Sequence, residues 1–161
     1  MRLLIAAAGL VCLVSCRPAP APLAHTQESA EAVATALIQA LASGDTQTLQ
    51  QLALSETEFR QRVWPELPAS RPERNLPFSH VCGDLHQKSN QSLQQLLAQH
   101  KGRTYALESV RFGDVTEYST FRVHRDSVFI VRGADEPEIR LCGSMIEADG
   151  RWKVFSFIAD E

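Results

Sequence analysis

The hydrophobic period of this 161-residue chain changes once, near Lys101-Gly102, and that change constrains the fold more than any other feature. Before it, apolar residues recur three and four apart; after it, β-branched and aromatic residues gather in runs of strand length. Ala30, Val33, Ala34, Leu37 and Leu41 keep one helical face apolar. Thr26 is placed as the N-cap of that helix, with Glu28 and Glu31 where carboxylates meet the positive end of the helix dipole, and Ser43-Gly44 stops it. Asp45 opens a shorter helix through Leu49, Leu52 and Ala53. Ser55-Glu56-Thr57-Glu58 has the form of a capping box, which predicts a third helical segment carrying Phe59, Val63 and Trp64 and ended by Pro65. Leu85, Leu93, Leu96, Leu97 and His100 mark a long helix, closed by Lys101 and Gly102.

Beyond that point, four segments read as strands: Thr104 to Phe112, about Tyr118 to Val131, Glu138 to Ile146 and Trp152 to Ile158. Ala148-Asp149-Gly150-Arg151 is a hairpin signal, because Asp-Gly accepts the positive φ values of a type I′ turn. Gly133 to Pro137 is a longer hairpin loop. Helices first and strands second means α+β, with helices packed on one face of a curved antiparallel sheet. The length suits one domain, and the 44% hydrophobic and 22% charged shares are ordinary globular values.

Pro65 to Ser79 carries four prolines and neither period. A stretch like this is either a meandering surface cover or a lid or binding loop, whose candidates would be Arg71, Arg74 and Phe78.

The N-terminus is different in kind. Met1-Arg2 is a short positive n-region and Leu3 to Val14 is nearly all apolar, shorter than the roughly 20 residues a spanning helix needs. Leu13-Val14-Ser15-Cys16 resembles the lipobox of bacterial lipoproteins. The resemblance implies removal of residues 1–15, a diacylglyceryl group on the Cys16 thiol and acylation of its new amino group. Each buried methylene adds about 0.8 kcal/mol, so two or three chains on one residue hold firmly where one would bind reversibly. Arg17 stands where that family's inner-membrane retention signal has Asp, so the expected location is the outer membrane, facing the periplasm of the bacterial envelope. Residues 16–25, with Pro18, Pro20 and Pro22, read as the lipidated cysteine and a Pro/Ala tether, and 26–161 as a single α+β domain.

A second resemblance covers about Ala30 to Ile158. The helix ending in ALASGDTQTL and the closing hairpin EADGRWKVFSF are similar to the nuclear transport factor two-like, or SnoaL-like, α+β roll. In that family a bent sheet and its helices enclose a pocket, used for catalysis, for binding or for subunit contact. Three functions follow as expectations. The first is a module that binds a small apolar ligand or an envelope protein; the second, a small hydrolase, isomerase or dehydratase; the third, a structural envelope homodimer. For catalysis the available strand groups are Tyr105, Glu108, Tyr118, His124 and Asp126. No phosphate loop, nucleophile elbow or HExxH motif occurs. Nucleic acid is an unsuitable partner: the chain carries 16 basic against 19 acidic side chains, and loss of the leader removes one more positive charge.

His80, Cys82, Asp84 and His86 stand at alternate positions in SHVCGDLH. Asp84-Leu85-His86-Gln87 has the form of a capping box, so Asp84 is expected to start the long helix and turn His86 away from His80. With His124 the one distant ligand worth naming, no metal and no cofactor is assigned. After export, Cys82 and Cys142 form either a disulfide or two buried thiols. A bridge closing about sixty residues would contribute about 3 to 4 kcal/mol.

Overall fold

The computed structural model describes residues 20–158. Its architecture is α+β, with four α-helices and two antiparallel sheets. Helix α1 (Ala30–Ser43) is capped by Ser29, whose side chain accepts from Ala32 N, rather than by Thr26. It ends at Gly44 in the left-handed region, where Asp45 caps α2 (Thr46–Leu52). The capping box of Ser55 and Glu58 opens the short α3 (Glu56–Glu58). A π turn, Phe59–Val63, follows.

Between Trp64 and Arg74 the backbone forms three successive 3-10 turns, each with proline at its first or second position. Proline fixes φ for such a turn and removes a donor that the turn could not use. Helix α4 then runs over Phe78–His100, with Pro77 as N-cap. The expected start at Asp84 is therefore corrected. The whole of SHVCGDLH is helical, and Asp84 forms an i,i+4 ion pair with Lys88 at 2.9 Å. Two patterns compete for such a residue, and helix propagation from Phe78 leaves no free N–H groups at Asp84 to cap.

Two of the expected strands, Tyr118 to Val131 and Glu138 to Ile146, are each interrupted once, and Asp114–Glu117 is a strand where none was expected. The strands are β1 (Ala106–Arg111), β2 (Asp114–Glu117), β3 (Arg122–Arg125), β4 (Val128–Arg132), β5 (Glu138–Ile139), β6 (Ser144–Ala148) and β7 (Arg151–Ser156). One sheet has the order β1-β4-β5, the other β2-β3-β6-β7. The register explains the division. Arg111 pairs with Val128 and Asp114 with Arg125, so both chains advance three residues across the break with the pairing offset kept. The two sheets are thus two limbs of one ribbon, folded along a corner through Gly113, Asp126 and Gly143.

Hydrogen bonds cross this corner. Gly113 N donates to Arg125 O at 3.0 Å, Ser127 N to Gly143 O at 3.2 Å, and Gly143 N to Ser156 O at 3.1 Å. Asp126 adopts φ 52°, and a Cβ on Gly113 would lie 2.7 Å from Asp126 Oδ2. The left-handed residue turns the strand, and the glycine beside it makes room.

The main core joins α1, α2 and the second half of α4 to Phe129, Val131, Met145 and Val154 on the sheets. A second cluster, around Phe59, Val63, Cys82, Phe121, Val123 and Ile146, lies on the opposite face of the four-stranded limb. Its cover is the π turn and the first half of α4. Burial on both faces makes this limb the centre of the molecule.

Candidate functional site

Strand alternation sends Val123 and Arg125 of β3 to one face and His124 to the other. On the Val123 face, α4 lies over β3, β6 and β7 and leaves a cleft of about 490 Å³. Its apolar walls are Phe59, Leu85, Val123 and Phe155, while Asp84, Lys88 and Arg125 stand among its polar groups. Leu67 and Tyr118 line it beside the β2–β3 turn, and Gly143, Ser144 and Ile158 beside the sheet corner. A smaller cleft of about 240 Å³, lined by His86, Ser89 and Asn90 among others, shares Phe59, Leu85 and Phe155 with it.

The charges in the larger cleft are not equivalent. Lys88 is engaged by Asp84, whereas Arg125 has no carboxylate within ion-pair distance among the described residues. An apolar wall beside an uncommitted guanidinium suits an amphipathic molecule carrying an acidic group.

The candidate loop residues lie elsewhere. Arg71 and Arg74 are exposed on the 3-10 turns and line neither cleft. Phe78 is the first residue of α4; its ring packs on Phe59 and Trp64, with the Arg60 guanidinium 3.8 Å above its centroid. It is an anchor for α4 rather than a loop contact. Leu67 is the contribution of this stretch to the larger cleft.

Of the five strand groups named for catalysis, Tyr118 alone lines the cleft. Tyr105 Oη pairs with His100 Nδ1 at 2.9 Å where α4 turns towards β1. Burial, with Arg103 adding repulsion, lowers the His100 pKa. Glu108 pairs with Arg132 at 2.8 Å on the outer surface, where Arg111 and Glu138 form a further pair. His124 Nε2 lies 3.0 Å from Glu147 Oε2, its ring flanked by Phe112 and Trp152, on the face opposite the cleft. Asp126 is the corner residue. These groups do not converge on one reacting position.

Cys82 and Cys142 are both free and buried. Of the two alternatives the structure has the two buried thiols, with Cys82 in the second cluster and Cys142 in the main core. Burial pushes the Cys142 thiol up to about 12 and raises Cys82 as well, assisted there by Glu56. Among the described residues no three His, Cys, Asp or Glu side chains gather as a metal site would require.

Two buried cations had no place in the sequence reading. Arg62 is 3% exposed, and its guanidinium donates to Ala21 O, Thr120 O and Asp149 Oδ2. Lys153 is 2% exposed; its Nζ donates to Ala24 O and to both oxygens of Glu58. Ala24 N in turn donates to Glu58, Arg151 holds Thr26, and Gln27 pairs with Trp152. Residues 21–27, most of them expected in the free tether, are therefore strapped to the domain. One signal was present in the sequence: Lys153 is in phase with Phe155 and Phe157, so alternation places it on an inward face, where a charge needs a partner.

Burial acts to raise Glu58, but the bonds from Lys153, Ser55 and Ala24 outweigh it and hold the carboxyl below its ordinary 4.5. Glu66 behaves alike, with bonds from Thr120 and Ser119 opposing the desolvation. Cys16 and the whole lipobox lie outside the described residues. No described helix is long and apolar enough to cross a membrane. No family model, curated protein or solved structure matches the chain.

Proposed function

We propose that this chain is an extracytoplasmic lipoprotein, anchored through Cys16 in the outer membrane, whose domain is a nuclear transport factor two-like roll that binds a small amphipathic ligand. The observation that carries the binding role is the cleft under α4, with its apolar walls and a guanidinium, Arg125, that has no carboxylate within ion-pair distance among the described residues. The bent ribbon and the helix across it support the roll, as a folded antiparallel sheet is what that family uses to build a pocket. The anchor rests on the Leu13-Val14-Ser15-Cys16 pattern and its flanks.

The binding reading also fits the surface better than the dimer does. Val115 is the large exposed hydrophobic residue on the described strands, and the outer face of β1 and β4 presents paired charges. An apolar self-association face needs more continuous apolar area than this.

Two measurements test the proposal. A fluorescent fatty acid should bind the purified protein, and Arg125→Ala should weaken it about tenfold, the loss of roughly one charge-assisted hydrogen bond. Equal affinity in the variant would remove the cleft from consideration. Independently, Cys16→Ser should move the protein from the membrane fraction to the soluble one; a variant that still pellets and still takes up palmitate label would refute the anchor.

A further inference from the structure

We infer that the strap at residues 21–27 fixes how the domain sits on the bilayer, with the β2–β3 turn and the β6–β7 turn against the phospholipid headgroups. This rests on the proposed lipidation of Cys16. A free tether from 16 to 25 would let the domain drift and rotate. The structure instead holds Ala21 O on Arg62 and Ala24 between Glu58 and Lys153. Only five peptide steps then separate Cys16 from Ala21, a reach of at most about 18 Å. A domain of this length is roughly 35 Å across, so the anchor cannot reach around it.

What lies beside Ala21 is set by the same guanidinium. Arg62 joins Ala21 O to Thr120 O in the β2–β3 turn and to Asp149 in the β6–β7 turn. Glu66 caps Ser119 N and the Thr120 hydroxyl, so that turn is pinned from both sides. The charges around it are largely matched: Arg62 with Asp149, and Arg122 with Glu117. A surface whose charges are either paired or, like Glu66, hydrogen-bonded approaches zwitterionic headgroups at little desolvation cost.

The far end of α1 supplies the comparison position. Helix α1 begins beside the strap and its 14 residues carry the chain about 21 Å away. There Gly102 N donates to Ala42 O, and Arg103 lies 3.6 Å from Asp135. On the proposed orientation Asp135, at the far end of α1 from the strap, is the position remote from the membrane. The cleft follows from the same geometry: its Tyr118 and Leu67 end adjoins the pinned turn, so that end opens towards the bilayer.

The test uses the lipidated full-length protein in phosphatidylcholine vesicles containing a phosphatidylcholine with a nitroxide on its headgroup. A thiol-reactive fluorophore is placed at Ser119→Cys or at Asp135→Cys; the native Cys82 and Cys142 are buried and stay unlabelled. The label at position 119 should be quenched several-fold more strongly than the label at 135. Inserting about twelve Gly/Ser residues between Ala19 and Pro20, which adds roughly 20 Å of flexible reach, should abolish the difference. Equal quenching at the two positions, with the protein still on the vesicles, would overturn the orientation and leave the anchor standing. Protein that does not associate with the vesicles at all would overturn the anchor, and the orientation with it.

Discussion

At Gly113 and Asp126 the local cost of the fold is concentrated in two residues. Asp126 occupies the left-handed region at φ 52°, and Gly113 accommodates it by having no Cβ. Gly113→Ala should destabilise the domain by about 1 to 3 kcal/mol in denaturant unfolding, because the new methyl group meets Asp126. Asp126→Gly relieves both the contact and the backbone strain, so the double variant should recover most of that loss. At Glu58 the sign of the pH dependence follows from its lowered pKa. The folded value lies below the ordinary 4.5, so its contribution is complete above that pH and disappears as pH falls through the folded value. Glu58→Gln should therefore lower the melting temperature at neutral pH, by a difference that shrinks as the pH drops below 4.5. Lys153→Met leaves the buried carboxylate without its cation, and should cost about 3 kcal/mol at neutral pH.

Among elements, the strap and α4 are where local and distant interactions disagree. A soluble form beginning at Arg17 keeps the partners of Arg62 and Lys153; one beginning at Thr26 loses Ala21 O and Ala24 O. The shorter form should melt about 5 to 10 °C lower in calorimetry, through two buried charged donors left short of acceptors. For α4, Asp84 is a surface ion pair rather than a cap, so Asp84→Ala should change stability by less than about 0.5 kcal/mol. A loss near 1 kcal/mol would instead fit an N-cap. The helix starts at Phe78 because that ring is held by Phe59 and Trp64, contacts invisible to a search for capping patterns.

Seen as a whole, the molecule is one folded ribbon carrying a core on each side, and its two thiols belong to different cores. Both should resist a thiol reagent in the native state and both should react after unfolding without reductant, giving two equivalents in a form that begins at Arg17. Much of this organisation was legible in the residues. The change of period near Gly102, the left-handed Gly44, the Ser55 capping box and the Asp149-Gly150 hairpin were readable because each depends on φ, ψ and hydrogen bonds within a few residues. Six of the seven strands were also legible within the expected segments, but β2 and the breaks beside Asp126 and Gly143 were not: a corner at Asp126 is favourable only when Gly113 and Gly143 lie beside it. The lining of the cleft and the partners of the strap were decided by tertiary structure. Arg62 and Asp149 are 87 positions apart, and Lys153 and Glu58 are 95. Local pattern determines which faces are apolar and where the chain turns; only packing brings such distant charges together, since burial is what makes each of them require the other.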